Sequence, residues 1–382
     1  MKKDILKKGD ASGNGMVVKF QMPSGLEVIS FPTKNPYGGQ WDLGPTWNYV
    51  VLGDRPFLVD VGRWGQGKSL ISMMEGAGFD PENLKFILIT HGHEDHDGGL
   101  KDVIGVAGLK VKAHVTYDLM RRPYPQLSPG GYKLNFPARC WRCFMPESFY
   151  TKNCLGYHEF LRDLAVDTIG DNGASLDSGI RAIHLPGHSP DCLAVLLGKE
   201  GIIVGDVVLP DITPWPTSLE MFETVAPVIR QKYTDGERLF GLESYIRSLK
   251  KLQAVAKEIP DIAIFPAHRL YYDDKWTCIN LSERVEELLV HHVHRCAAIL
   301  EIVSSGPKTI DEIAVMHFEE AKLKGVGIHL ARNEIISHCE LMVKYGDLLR
   351  LDGKGSYVKT GSSNFERAIN ATCSRPLSIS EF

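Results

Sequence analysis

A cluster of ligand-type residues occupies positions 91–96, where the sequence reads HGHEDH. The apolar run FILIT precedes it and predicts a buried strand that ends where the cluster begins. A turn after a strand can aim several side chains into one crevice, and imidazole together with carboxylate suits zinc or iron. Four of these residues, His91, His93, Asp95 and His96, would be costly to bury unless they bound an ion. The cluster therefore predicts a metal site.

Three further ligand-type residues follow apolar strands later in the chain. His188 lies in LPGHSPD, Asp206 ends the run GIIVGDVV, and His268 ends IAIFPAH. Open sheets place their binding sites where strands end. A single histidine at such a position is usually structural, but this series after residues 91–96 favours one shared site with two metals.

The elements around these residues alternate between strands and helices. Residues 16–61 contain four strand-like segments separated by Gly, Pro and Asn, and a helical stretch near residues 67–77 follows. Further strands come next, and an amphipathic segment at about 241–258 precedes the last apolar strand. This alternation predicts an α/β (α+β) layered domain rather than a helix bundle.

The last quarter of the chain has a different pattern. Three helix-like segments follow residue 281, and then LLRLDGKGSYVKT predicts two short strands around a turn. Helix, helix, helix, hairpin is the order of a winged-helix domain, so we predict domains at residues 1–280 and 281–382. Residues 295–382 carry 11 Lys and Arg against 11 Asp and Glu, which disfavours DNA binding and favours a packing or homodimerisation module.

The motifs resemble those of the metallo-β-lactamase superfamily over about residues 16–280. They stand in the family order: Asp60 in FLVDVG, then THGHEDHDGG, then the three later residues. The resemblance implies a four-layer αββα sandwich with the metals at one edge. It also implies the following roles: a first metal on His91, His93 and His188, a second on Asp95, His96 and His268, Asp206 bridging them, and Asp60 supporting the metal turn. The C-terminal element order resembles the β-lactamase-like protein 2 family.

Two cations at such a site would define the chemistry. We expect two zinc ions, with iron, a mixed iron–zinc pair or manganese as alternatives. Together they lower the pKa of a shared water toward about 7 and so provide a metal-bridging hydroxide at neutral pH. Asp95 would both ligate and orient that hydroxide or shuttle a proton, so it is the predicted catalytic residue. Glu94, between the ligands, is predicted to face solvent.

The substrate is less constrained, because the superfamily hydrolyses thioesters, lactones, β-lactams and phosphodiesters and some members oxidise thiols. Asp206 stands where common β-lactamases have Cys, which disfavours that activity. The leading hypothesis is a small anionic ester-type substrate, most simply an acyl thioester resembling acyl-CoA. The alternatives are an endoribonuclease acting on single-stranded RNA, a lactonase, and a persulfide dioxygenase with one iron.

An insertion is predicted at about residues 116–167. Between positions 116 and 160 it carries six basic and three acidic residues interleaved with aromatic ones. This composition suits a lid over a CoA thioester or single-stranded RNA, and equally a solvated loop. Cys140, Cys143, Cys154 and His158 approximate the spacing of a structural zinc site, with free buried thiols as the alternative. A separate cluster, His291, His292 and His294, is interpreted as surface or interface.

Composition sets the outer limits. The chain has 382 residues, 43 Lys and Arg against 47 Asp and Glu, a net charge of −4 and 43% hydrophobic residues. These values exclude a largely disordered chain and a globally basic nucleic-acid binder. The sequence has no apolar run of about 18 residues, and its first fifteen residues lack a signal-peptide core. We therefore expect no membrane segment and a cytoplasmic location.

Overall fold

Two stacked β-sheets form the centre of the molecule. The computed structural model describes residues 1–35, 42–121, 139–140, 145–146, 155–325, 327–351 and 355–372. Among these, the first sheet contains β1 (Lys2–Lys7), β2 (Val17–Gln21), β3 (Glu27–Thr33), β4 (Thr46–Leu52), β5 (Phe57–Val59), β6 (Phe86–Leu88), β7 (Lys110–His114) and β10 (Val166–Ile169), in that spatial order. The strands from β1 to β5 pair antiparallel, whereas β5, β6, β7 and β10 run parallel.

The second sheet is mainly antiparallel. It contains β11 (Ala174–Asp177), β12 (Ile180–His184), β13 (Leu193–Leu197), β14 (Gly201–Gly205) and β15 (Ala263–Pro266). Its last pair, β14 and β15, is parallel. Strands β13 and β14 are buried along their whole length, which explains their continuous apolar sequences LAVLL and GIIVG.

Three small sheets are the other sheets among the described residues. They are β8 (Arg139–Cys140) with β9 (Met145–Pro146), β16 (Tyr271–Tyr272) with β17 (Lys275–Trp276), and the set of β18 (Lys308–Thr309), β19 (Leu348–Leu351) and β20 (Ser356–Lys359). In the last set β20 lies between the other two strands.

Helices cover the outer faces of both sheets. They are α1 (Gly67–Gly76), α2 (Glu94–Asp97), α3 (Leu100–Ala107), α4 (Val115–Arg121), α5 (Leu155–Arg162), α6 (Glu220–Ile229), α7 (Gly241–Glu258), α8 (Leu281–Ser304), α9 (Ile310–His317), α10 (Gly327–Lys344) and α11 (Phe365–Ala371), with 3₁₀ turns at Pro81–Asn83 and Glu320–Leu323. Within the described ranges, no helix combines the length and the apolar character needed to cross a membrane.

Three apolar clusters show the layering. Between the sheets, Phe20 and Tyr49 of the first sheet meet Phe265 of the second, with ring centroids 5.2 and 5.6 Å apart. The outer face of the first sheet packs on α1, α3, α4, α5 and α6. The outer face of the second sheet packs on α7 and α8. The predicted four-layer αββα fold is confirmed.

The C-terminal region is helical, as predicted, and it shares a core with the sandwich. One apolar cluster runs from β13 and β14 through α7 to α8, α9, α10 and α11. Asn280 caps α8 with its side chain, and Thr309 and Glu312 form a capping box on α9. Because the cluster is continuous, packing of the C-terminal helices is coupled to the sheet that carries part of the site.

Candidate metal centre

Strand direction gathers the predicted ligands at one edge of the sandwich. Asp60 follows β5 and His91 follows the parallel strand β6, while Asp206 and His268 follow the parallel pair β14 and β15. Carboxyl ends of parallel strands lie at the same edge of a sheet. His188 joins them from the loop between β12 and β13.

The turn after β6 is tightly folded. His93 is the N-cap residue of α2, which then presents Asp95 and His96. The Val61 amide donates to the His96 carbonyl at 2.8 Å, which ties this turn to the one after β5. A Cβ on Gly98 would lie 2.1 Å from the Trp64 amide nitrogen, so this position requires glycine.

Three histidines and one aspartate form a first group of ligand atoms. His91 Nε2 lies 2.9 Å from His93 Nδ1, which lies 3.2 Å from His188 Nε2. Asp206 Oδ2 is 3.6 Å from His188 Nε2. These atoms could hold one metal ion.

A second group lies beside the first. His268 Nε2 is 3.3 Å and His96 Nε2 is 3.7 Å from Asp95 Oδ2, and the three residues could hold an ion. Asp206 also reaches this group, with Oδ2 3.5 Å from His96 Nε2 and Oδ1 3.5 Å from His268 Nε2. All seven predicted side chains therefore converge, and Asp206 lies between the two groups.

The donor set fits divalent cations. Within the described part of the chain, the buried atoms His96 Nε2, His268 Nε2 and Asp206 Oδ1 have no hydrogen-bond partner. Buried polar atoms are normally satisfied, and a cation would satisfy all three. Imidazole nitrogens with bridging carboxylate oxygens are ligands that zinc and iron accept.

Most of the ring nitrogens that face away from the ligand groups have partners. His91 Nδ1 lies 3.1 Å from Thr90 Oγ1, His188 Nδ1 lies 3.0 Å from the Trp215 carbonyl, and His268 Nδ1 lies 3.3 Å from the Pro45 carbonyl. Such contacts fix the tautomer and the ring orientation of a metal-binding histidine.

Asp60 supports the fourth ring directly. Its carboxylate lies 2.8 Å from His96 Nδ1 and accepts hydrogen bonds from the Thr90 amide and hydroxyl at 2.8 Å each. Asp60 has a φ of 59°, a conformation that aspartate and asparagine tolerate better than most residues. The structure thus places Asp60 behind the metal turn, where the resemblance implied a supporting role.

The two ligand groups differ in their protonation. Burial, followed by the charge of His188, lowers the pKa of His93 to about 3. Burial also lowers the pKa values of His91 and His188. It acts in the same direction on His268, but the nearby carboxylates of Asp206 and Asp95 outweigh it and raise the pKa of His268 to about 9. The three histidines of the first group are therefore neutral at pH 7, whereas His268 of the second group is protonated until a cation displaces the proton.

Sequence reasoning missed several supporting residues. Thr46 Oγ1 and Asn35 Nδ2 each donate to Asp95 Oδ2 at 3.0 Å. Trp215 packs its ring against His93 and His188, with centroids 6.1 and 5.4 Å apart. The proline-rich stretch DITPWPTS at residues 211–218 is the sequence signal that could have identified Trp215.

Two expectations are wrong. Glu94 does not face solvent: its carboxylate accepts a hydrogen bond from the Trp64 amide at 2.9 Å and pairs with Arg63 at 3.4 Å, because the turn folds back over the chain after β5. His292 is fully buried rather than on the surface, with Nδ1 2.9 Å from Nε2 of His338 on α10.

The predicted lid and its zinc ligands fall mostly outside the described residues. This holds for Cys143 and Cys154, and for Cys140 only the backbone strand is described, whereas His158 is buried beside Tyr157 on α5. Arg121 is also buried; it pairs with Asp118 and donates to the Leu161 carbonyl at 2.6 Å. The described parts of this segment therefore include α4 and α5 of the helical layer and the start of β10.

A third group of potential ligands, His114, Asp171 and His184, lies near the sandwich edge. The two imidazole rings are stacked, with centroids 3.7 Å apart and an interplanar angle of 13°. Parallel rings direct their nitrogen lone pairs side by side rather than toward one point. We therefore assign this group a structural role.

Comparison with known proteins agrees with this geometry. A family model described as "Metallo-beta-lactamase superfamily" matches residues 41–254. An atrochrysone carboxyl ACP thioesterase of Aspergillus fumigatus is 27% identical over 199 residues, which are 49% of this chain and 37% of that protein. A beta-lactamase-like protein 2 homolog of Drosophila melanogaster is 21% identical over 271 residues, 70% of this chain and 72% of that protein.

The chain spans about half of the length, or less, of the thioesterase relatives that it matches: 37% in Aspergillus fumigatus and 52% in a second such protein from Aspergillus novofumigatus. Among solved structures, a metallo-beta-lactamase family protein of Thermus thermophilus is similar with a TM-score of 0.60 and 21% identity. That match covers 87% of this chain and 98% of the other. At this identity the likeness shows the fold.

Proposed function

We propose that this chain, which belongs to the metallo-beta-lactamase superfamily, is a hydrolase that cleaves an acyl thioester with two zinc ions. The observation that carries the proposal is the convergence of seven ligand side chains in two adjoining groups that share Asp206. His91, His93 and His188 would hold the first ion, Asp95, His96 and His268 the second, and Asp206 would bridge them.

The bound ions would supply a water that is acidic near neutral pH and a Lewis acid for the carbonyl oxygen. The protein contributes position and proton transfer. Thr46 and Asn35 fix the Asp95 carboxylate, which lies beside both imidazoles of the second group. Asp95 is therefore the proposed catalytic residue: it would take a proton from the attacking water and return it to the departing thiolate.

The choice of a thioester rests on the relatives. Two of them carry the name atrochrysone carboxyl ACP thioesterase, and each is matched over about half of its length or less. An acyl-CoA-like substrate has the same reacting group, an activated carbonyl bonded to sulfur. A complete second ligand group favours two ions over the single iron of a persulfide dioxygenase.

A substrate panel tests this proposal. Zinc-loaded protein is assayed with acyl-CoA esters, an acyl thioester of N-acetylcysteamine, a lactone and single-stranded RNA, with Asp206→Asn as the inactive control. We expect thioester hydrolysis that disappears in the control. RNA cleavage without thioester turnover would contradict the proposal and favour the endoribonuclease, and lactone turnover alone would favour a lactonase.

We also propose that residues 1–280 form the catalytic domain and residues 281–382 a winged-helix-like module. The observed order of α8, β18, α9, α10, β19 and β20 supports this interpretation. Residues 295–382 of this module carry 11 Lys and Arg against 11 Asp and Glu, which favours packing over nucleic-acid binding. A cytoplasmic location and a homodimer stay predictions from the sequence.

A further inference from the structure

The segment 206–220 links the metal centre to the C-terminal helices. It begins at Asp206, passes Trp215 and ends where α6 starts at Glu220. Residues 206–219 lie outside helices and strands. We call residues 206–220 the active-site segment.

The active-site segment contacts the first ligand group at two further points. The Trp215 carbonyl lies 3.0 Å from His188 Nδ1, and the Thr217 hydroxyl donates to the His188 carbonyl at 2.6 Å. The Thr217 amide also donates to the Gly187 carbonyl at 2.7 Å. A shift of this segment would therefore rotate the His188 ring or displace Asp206.

Arg284 of α8 holds the first half of the segment. Its Nε donates to the Leu209 carbonyl at 2.7 Å, and its second terminal nitrogen donates to the Ile212 carbonyl at 3.0 Å. A guanidinium can satisfy two carbonyls at once because its donors form a rigid planar fork.

Glu340 of α10 holds the other end. Its two carboxylate oxygens accept hydrogen bonds from the Leu219 and Glu220 amides at 2.7 and 2.8 Å. Leu219 is the N-cap of α6 and provides no side-chain cap, so a residue 121 positions later satisfies the amides of this helix start. Burial raises the pKa of Glu340 to about 7, while the Leu219 and Glu220 amides oppose this rise because they favour the charged carboxylate.

We propose that Arg284 and Glu340 are positioning residues, through which the C-terminal helices hold the active-site segment and thereby set the first metal position. The inference rests on the ligand assignment of the proposed function. It gives the C-terminal region a role in the site through two residues that are not among the seven proposed ligands.

Cobalt(II) titration of metal-free protein tests this role, because the visible absorption of cobalt reports ligand geometry without any substrate. Glu340→Gln and Arg284→Met should each weaken the first cobalt site by about tenfold, the lower end of what supporting residues contribute, and should alter its absorption bands. Arg332→Met is the matched control, since Arg332 also lies on α10 but pairs with Asp311 inside the C-terminal region.

Thermal unfolding of each variant separates positioning from stability. We expect Arg332→Met to bind cobalt like the wild-type protein, even if its midpoint of thermal unfolding falls as much as that of Glu340→Gln. Wild-type cobalt affinity and spectrum in both positioning variants would overturn the inference. If Glu340→Gln does not fold, the milder variant Arg284→Lys takes its place in the test. Lysine cannot donate to the Leu209 and Ile212 carbonyls in the way that the planar guanidinium does. Wild-type cobalt binding by Arg284→Lys would contradict the proposal. A wild-type protein that binds no cobalt would instead refute the proposed function.

Discussion

The two ligand groups use the same kinds of side chain but differ in how they are charged. The first is dominated by histidines that crowd one another, and burial with mutual repulsion lowers the pKa of His93 to about 3. In the second, the imidazoles lie against carboxylates, which raise the pKa of His268 to about 9. The difference shows that neighbouring carboxylates determine the protonation state of a buried imidazole without metal. Beside carboxylates the ring is protonated and ion-paired, and without them it is a neutral base.

Asp206 joins the two groups, so its replacement should have the largest effect. Asp206→Asn removes the charge shared by His188, His96 and His268 and should lower kcat/KM for the thioester on the order of 10³-fold. Asp167→Asn, an exposed carboxylate on β10, is the control and should keep the wild-type rate. A variant at position 206 with more than a tenth of that rate would contradict a shared bridging role.

Asp60→Asn tests the difference between the two metal positions through a residue that is not itself a proposed ligand. Asparagine tolerates the φ of 59° and keeps an acceptor for the Thr90 amide, but the charge beside His96 Nδ1 is lost. We expect the second position to bind metal about 10- to 100-fold more weakly while the first is unchanged. Equilibrium titration with a competing chelator measures the metal affinities of both positions. Equal weakening at the two positions would contradict the assignment of His96 to the second position alone.

The two positions should also respond differently to pH. A cation at the second position must displace the proton of His268, whose pKa of about 9 lies above neutral pH. Its affinity should therefore rise with pH between 6.5 and 8.5, by about tenfold per unit for each proton displaced. The first position should stay constant over this range, because the pKa of His93 is about 3.

Chelator competition at three pH values measures this dependence. His93→Ala protein isolates the second position, and His268→Ala protein isolates the first. A second position with constant affinity between pH 6.5 and 8.5 would contradict the charged state assigned to His268.

The smallest effect is expected at Glu94, which stands between ligands of both groups. Glu94→Gln keeps an acceptor for the Trp64 amide and loses the charge that pairs with Arg63. Such pairs contribute little when partly exposed, so kcat/KM should change by less than about twofold. A loss above tenfold would place Glu94 in the reaction itself.

Much of the site was predictable because its ligands follow strands. The ligands and Asp60 follow the ends of strands, and the hydrophobic runs before them identify those ends in the sequence. His188 lies a few residues farther on, in the loop between β12 and β13. The partners of the rings were not predictable in the same way. Trp215 and Pro45 contribute backbone carbonyls, and a carbonyl carries no signal in the residue type.

Long-range packing accounts for the remaining errors. The cluster that contains His292 was expected at the surface or an interface, but His292 is buried and α10 covers it with His338. Arg121 was counted among the basic residues of the insertion, but its side chain is buried and donates to the Leu161 carbonyl. In both cases the partner lies on a distant element, and a local pattern cannot identify it.

Metal content tests the central claim most directly. Purified protein loaded with zinc should hold two ions per chain, and His93→Ala and His268→Ala should each hold one. Only His268→Ala should lose the second position, whose affinity depends on pH. A wild-type protein with a single tightly bound iron and no second metal would contradict the account.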